Sequence, residues 1–213
     1  MPRAVKTRRR YGSPTRQAQA QRTRAEVAEA ARQLFIARGY AGTTLADIAA
    51  AAAVAVPTVK LAYGTKRNVL LAAWDRAVKG GDDPRPVADQ PWFQELLASP
   101  DPRDHLRLQA AASREVKARI APLVEVIRAA APTDADIAAL WAKMQAEFYD
   151  NQRQTIRALQ GKGQLRDGLS EREATDLLWT LNHPTLYHLL VLERGWTPEQ
   201  YERWLADTLA SSF

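Results

Sequence analysis

Thr58, Lys60 and Leu61 fall on one side of the short segment Val56-Pro57-Thr58-Val59-Lys60-Leu61-Ala62-Tyr63, because Val59 and Tyr63, four residues apart, claim the other side for the interior. A lysine there neutralises a phosphate, a threonine meets a base edge, and a leucine exposed on so small a helix marks a surface that meets something. Thr65 is placed to cap the following helix. That puts Lys66 in a first turn, where free N–H groups and the positive end of the dipole favour a phosphate. The chemistry is recognition and not catalysis. The three histidines, His105, His183 and His188, show no metal-ligating or His-Glu-x-x-His spacing, and the chain carries no Gly-rich phosphate loop, no nucleophile motif and no cysteine. No catalytic residue, metal site or cofactor is expected.

The elements that must hold these residues can be read locally. Thr44 is a good N-cap and Asp47, three positions on, completes a capping-box pattern, so a helix begins at Leu45 with Leu45, Ile48, Ala49 and Ala52 as its apolar stripe. An earlier helix from about Thr23 to Arg38 presents Val27, Ala30, Ala31, Leu34 and Phe35, and Gly39 ends it. The second short helix starts near Val56 or Pro57, where a proline loses no hydrogen bond. Two short helices joined by a tight turn behind a longer one make a helix-turn-helix for duplex DNA.

Charge points the same way. Residues 1–24 hold eight Lys or Arg, among them Arg22 and Arg24, and no acid. Residues 1–80 carry a surplus of eleven positive charges and residues 81–213 a surplus of five negative ones, which together give the net +6. The attraction for phosphate is thus confined to the N-terminal third. With Gly12, Ser13 and Pro14 and few large apolar residues, residues 1–21 read as a basic flexible arm whose Arg8, Arg9 and Arg10 enter a minor groove or follow the backbone.

Residues 23–70 resemble the DNA-binding domain of the TetR family of bacterial transcriptional regulators. The matching residues are the Ala-rich helix ending in Phe35 and Gly39-Tyr40, then Thr43-Thr44, Ile48-Ala49, Val54, Thr58-Val59, Tyr63, Lys66 and Leu70. The chain departs from the family pattern at Ala53, where a glycine is usual, at Ala55, where a serine cap is usual, and at Lys60 and Ala62, which stand for a tyrosine and a histidine that contact phosphate. Lys60 replaces the tyrosine as a point charge, and the histidine contact is absent. The resemblance implies that Thr43, Thr44, Val56, Pro57, Thr58, Lys60, Leu61, Lys66, Arg22 and Arg24 meet the DNA.

The remaining two thirds read as helical throughout. No apolar run approaches the roughly 20 residues of a membrane span, and the charged start lacks the apolar segment of a signal peptide, so a cytoplasmic, nucleoid-associated protein with no membrane partner is expected. Five prolines and four aspartates between Gly80 and Pro102 end the helix bearing Trp74 by about Lys79, and Trp92, Phe93, Leu96 and Leu97 form a small helix within that segment. Helices are predicted over Leu106–Ile120 and Leu123–Ala130, separated near Pro122. A long one opens at Thr133-x-x-Asp136 and stops at Gly161 or Gly163. Ser170-x-x-Glu173 starts another, interrupted by Pro184, and Thr197-Pro198-Glu199-Gln200 starts the last. Trp141, Met144 and Phe148 on the long helix, with Asn182, His183 and Tyr187 around the proline break, suit a mostly apolar small-molecule effector.

The expected protein is therefore all-α, with an arm over 1–21, a three-helix DNA-binding domain over 22–68 and a ligand-binding and dimerisation domain over 69–213. The resemblance extends across residues 91–210 and implies a homodimer through the two C-terminal helices and a repressor released from a palindromic operator by its ligand. The rival readings are an architectural DNA-binding protein with little sequence preference and no ligand, and a ligand-free interaction module that uses its C-terminal half only to dimerise.

Overall fold

Side-chain caps set most of the helix starts. The computed structural model describes residues 14–81, 83, 85–163, 165–166 and 168–213, with the side chains of residues 14 and 15 left undescribed, and contains no strand among them. Among the described residues ten α-helices follow one another: α1 Pro14–Arg38, α2 Leu45–Ala51, α3 Val56–Tyr63, α4 Lys66–Lys79, α5 Pro91–Ala98, α6 Pro102–Ala130, α7 Ala135–Gln160, α8 Glu171–Leu181, α9 Pro184–Tyr187 and α10 Pro198–Ser212. Thr44, Ser170 and Thr197 each close a capping box, with Asp47, Glu173 and Gln200. Gly39 and Gly80, at φ of 72° and 75°, supply the left-handed residues that end α1 and α4.

Three expectations are corrected. α1 begins at Pro14 and not near Thr23, so residues 14–21 of the expected arm extend the helix. Their sequence is rich in Ala, Gln and Arg, all good helix formers, and residues 16–22 are exposed. Arg8, Arg9 and Arg10 lie outside the described residues. Pro122 does not divide α6, which runs unbroken for 29 residues. An interior proline costs about 3 kcal/mol, and its neighbours Ala121, Leu123 and Val124 are all buried, which offsets that cost. Asp134 and not Thr133 caps α7, accepting from the N–H groups of Asp136 and Ile137, while the Thr133 hydroxyl donates back to Ala130 O. At the proline break the chain resumes at once as α9 and winds into a six-residue π-helix over His188–Glu193.

The buried apolar residues form two clusters, one that spans residue 68 and one that lies wholly beyond it. The first joins Val27, Phe35, Ile48, Val59 and Leu70 to Leu123, Ile127, Ile137 and Leu140, so the N-terminal helices share a core with the end of α6 and the start of α7. The second joins Leu106, Ile156, Leu159, Leu178, Tyr201 and Leu205 across α6, α7, α8 and α10.

Candidate nucleic-acid interface and ligand cavity

α2 and α3 are inclined at 109°, within the range of a helix-turn-helix. The turn between them is held by Val54 N–H donating to Ala49 O, and it contains Ala53 at φ 52°, the one non-glycine residue at positive φ among the described residues. A left-handed alanine costs roughly 1 kcal/mol. Ala55 gives α3 no side-chain cap, so α3 is fixed by other means. Val59 is fully buried, and the Tyr63 hydroxyl donates to Arg24 O at 2.8 Å, tying the end of α3 to α1.

The outward side of α3 presents Lys60, exposed and without an ion pair among the described residues, and Leu61, 89% exposed. Pro57 and Thr44 are exposed beside them, Val56 and Thr58 are half-buried, and Arg22 and Arg24 are exposed on α1. Two expected contact residues stand apart. Thr43 is fully buried, and its hydroxyl donates to Gly39 O at 2.9 Å, so it shapes the turn before α2 and has no free side-chain group for DNA. Lys66 does not project from its helix terminus: its ammonium donates to Tyr40 O at 2.8 Å and sits 4.1 Å from the Tyr40 ring centroid. Burial pulls the Lys66 pKa down, against the pull of Asp134. Lys66 thereby braces α4 against the end of α1.

α4 leads from this unit to a cavity. A cleft with about 890 Å³ of empty space, part of it continuous with solvent, lies between α4, α6, α7 and the α8–α9 junction, with α5 beside it. Trp141, Met144, Phe148 and His183 line it as expected. Tyr187 does not. It is 3% exposed and packs edge-on against Tyr201 in the second cluster, 4.9 Å between ring centroids, because the turn of α9 points it at α10. Trp74 and Val78 of α4 and Trp92 and Phe93 of α5 complete the apolar wall. Arg119 of α6 donates to Ala77 O at 2.8 Å and so holds the C-terminal carbonyls of α4 against the cavity wall.

Of the cavity's polar floor only Asn182 was among the expected residues. Ser113 donates to Asn182 Oδ1 at 2.6 Å, Lys117 Nζ donates to the same oxygen and to the Tyr201 hydroxyl at 3.0 Å, and Asn182 Nδ2 donates to Gln152 Oε1 at 2.9 Å. Gln109 donates to Ser113, and Thr155 donates to Gln109. All seven residues are buried. The signal was present on α6: Ser113 and Lys117 fall in phase with Leu106, Ala110, Ile120 and Val124, at positions an amphipathic helix turns inward. His183 caps α9 with Nδ1 accepting Thr185 N–H, so Nε2 carries the proton and the Gln145 amide is read with its oxygen toward it. Burial, and secondarily Lys117, hold the His183 pKa below its ordinary value, and the ring stays neutral between Trp141, Phe148 and Trp179.

Residues 27–73 match the family model described as bacterial regulatory proteins, tetR family. Over these residues the chain is similar to the TetR family. The matched unit covers the C-terminal half of α1, all of α2 and α3, and the first part of α4. Among solved structures, SmeT in its triclosan complex is 21% identical, with a TM-score of 0.68 over 90% of this chain and 91% of that one. The transcriptional regulator FadR from Bacillus subtilis, in complex with stearoyl-CoA, is 13% identical with a TM-score of 0.69 over 89% and 98%. NalD, the secondary repressor of the MexAB-OprM multidrug efflux pump in Pseudomonas aeruginosa, is 17% identical with a TM-score of 0.66 over 91% and 97%. At such identities these likenesses extend the shared fold to the C-terminal helices and establish nothing about ligands. No curated protein matches the chain.

Proposed function

We propose that this chain is a homodimeric, sequence-specific repressor of transcription that acts on DNA in the cytoplasm, and that a mostly apolar small molecule bound in the cavity releases it from a palindromic operator. The observation that carries this reading is the course of α4. It starts beside the recognition helix at Thr65, is braced by Lys66 on Tyr40, and ends with Trp74 and Val78 in the cavity wall. A ligand that displaces Trp74 or Val78 acts on the same rigid helix that sets α3, and two α3 helices in a dimer must match major grooves about 34 Å apart. The triclosan and stearoyl-CoA complexes of fold relatives support an apolar effector. Dimerisation through α8 and α10 is supported by Leu189 and Leu192, which are 41% and 50% exposed on the π-helical segment that joins α9 to α10.

Thr44, Val56, Pro57, Thr58, Lys60, Leu61, Arg22 and Arg24 are assigned to the DNA face. Trp141, Met144, Phe148 and His183, with Trp74, are assigned to the effector. Selection of bound duplexes from a random pool tests the proposal. The expected product is an inverted repeat whose half-site centres lie one helical turn, or a multiple of it, apart; recovery of sequences with no common motif supports the architectural alternative.

A further inference from the structure

Lys117 is the least explained side chain in the molecule. It is 2% exposed, and every polar partner around it is neutral: Asn182, the Tyr201 hydroxyl and, through Asn182, Ser113 and Gln152. It makes no ion pair among the described residues. Glu147, the one carboxylate among the described residues that line the cavity, is exposed at its rim and already faces Lys143 at 3.6 Å. Burying an ammonium without a counter-ion is among the costliest arrangements a fold can hold, and a methionine or leucine would tie α6 to α8 and α10 at less cost. Burial accordingly pulls the Lys117 pKa well down, toward the neutral amine. An amine or ammonium directed at Asn182 and Tyr201 also keeps bonding capacity beyond these two partners.

The geometry points to an apolar monoanionic acid as the effector, its aromatic or alkyl body against Trp74, Trp141 and Phe148 and its carboxylate seated on Lys117. This rests on the reading of the cavity as the effector site and goes beyond it by fixing the charge of the ligand. One charge is matched and not two. Among the described residues that line the cavity, the other group that could carry a positive charge is His183, held neutral as the cap of α9, so a dianionic phosphate would remain half-compensated. The acid brings the counter-ion that the fold omits to an ammonium that is already buried. The Glu147–Lys143 pair at the rim lies in solvent, where it is worth little and does not reverse this preference.

Three probes with the same ring system separate the possibilities: 2-naphthylacetate, its neutral primary amide and 2-(2-naphthyl)ethylammonium, each titrated calorimetrically into the full chain. The expected result is carboxylate affinity at least about tenfold above that of the amide, with the ammonium weakest. In Lys117→Met the carboxylate should fall to the level of the amide, while the amide keeps its affinity within about twofold. Lys117→Gln, which retains a neutral donor, should behave like Lys117→Met if charge is what matters. Should the amide bind the unmodified chain as well as the carboxylate, or should the preference survive in both variants, the charge assignment is overturned. If Phe148→Ala then weakens all probes alike, the effector-site reading stands without it. If none of the three binds the unmodified chain, both readings fall together.

Discussion

The DNA-facing unit and the cavity place their polar groups in opposite ways. In the unit, Lys60, Leu61 and Pro57 point out to solvent, and their positions are fixed by neighbours within a few residues: the Thr44–Asp47 box, the Ala53 turn, the anchor Val59. In the cavity, Gln109, Ser113, Lys117, Gln152 and Asn182 point inward and are fixed by one another across two helices and a junction, over sequence separations of up to 69 residues. An exposed contact surface costs the free protein little to maintain. A buried polar floor between two apolar clusters costs stability unless every member is bonded, so such a floor requires a reason.

The largest effect that would sharpen this contrast is at Asn182, the hub of the floor. Asn182→Ala leaves Ser113, Lys117 and Gln152 each short of a partner and should lower unfolding stability by roughly 3–4 kcal/mol, read as a shift of the urea midpoint. A loss below about 1 kcal/mol would show that water replaces the asparagine and that the floor is not structural.

Acid should act on the same half. His105 is fully buried, accepts a hydrogen bond from Lys162 at Nδ1, and has its pKa pulled down to about 4 by burial and then by Lys162. The unfolded chain takes up this proton near pH 6.5, so stability is intact above that value and declines by roughly 2–3 kcal/mol as the pH falls toward 4. Melting curves at pH 7 and 5 should show the decline, and His105→Gln should flatten it.

Smaller effects belong to the DNA-facing unit. Lys60→Ala should lower affinity for operator and random duplex alike by about 1 kcal/mol and reduce the salt slope by about 1, whereas Thr58→Ala should relax preference at particular bases. A lysine variant that lost specificity with an unchanged salt slope would reverse these roles. Smallest of all, Ala53→Gly should raise stability by about 0.5–1 kcal/mol, and the melting temperature by about 2 °C, because it relieves a left-handed alanine.

The difference between the two regions also explains what the sequence revealed. The helix-turn-helix is made of signals three to eight residues apart, and Thr44, Asp47, Pro57 and Gly39 announced it. Even there Thr43 and Lys66 misled, because their partners, Gly39 O and Tyr40 O, are carbonyls that no side-chain pattern marks. In the C-terminal half each helix was legible and their mutual arrangement was not. Pro122 read as a break because a local rule says so, and packing on both sides carried α6 through it. Tyr187 was assigned to the cavity by its nearness to Pro184, but one turn of helix directs it to Tyr201. Lys117 and Ser113 were legible in principle as polar residues on the apolar stripe of α6. What they bond lay 65 and 69 residues away.

α3 is expected to read base sequence and not merely to hold phosphate. The most direct measurement is the ratio of affinities for the selected inverted repeat and for a scrambled duplex of equal length and composition, both at one salt concentration near physiological. The account predicts a ratio of about 10³ or more, of the size that separates specific from non-specific binding in regulators of this kind. A ratio near one, with both affinities falling together as salt is raised, would contradict it and leave a basic protein that coats DNA.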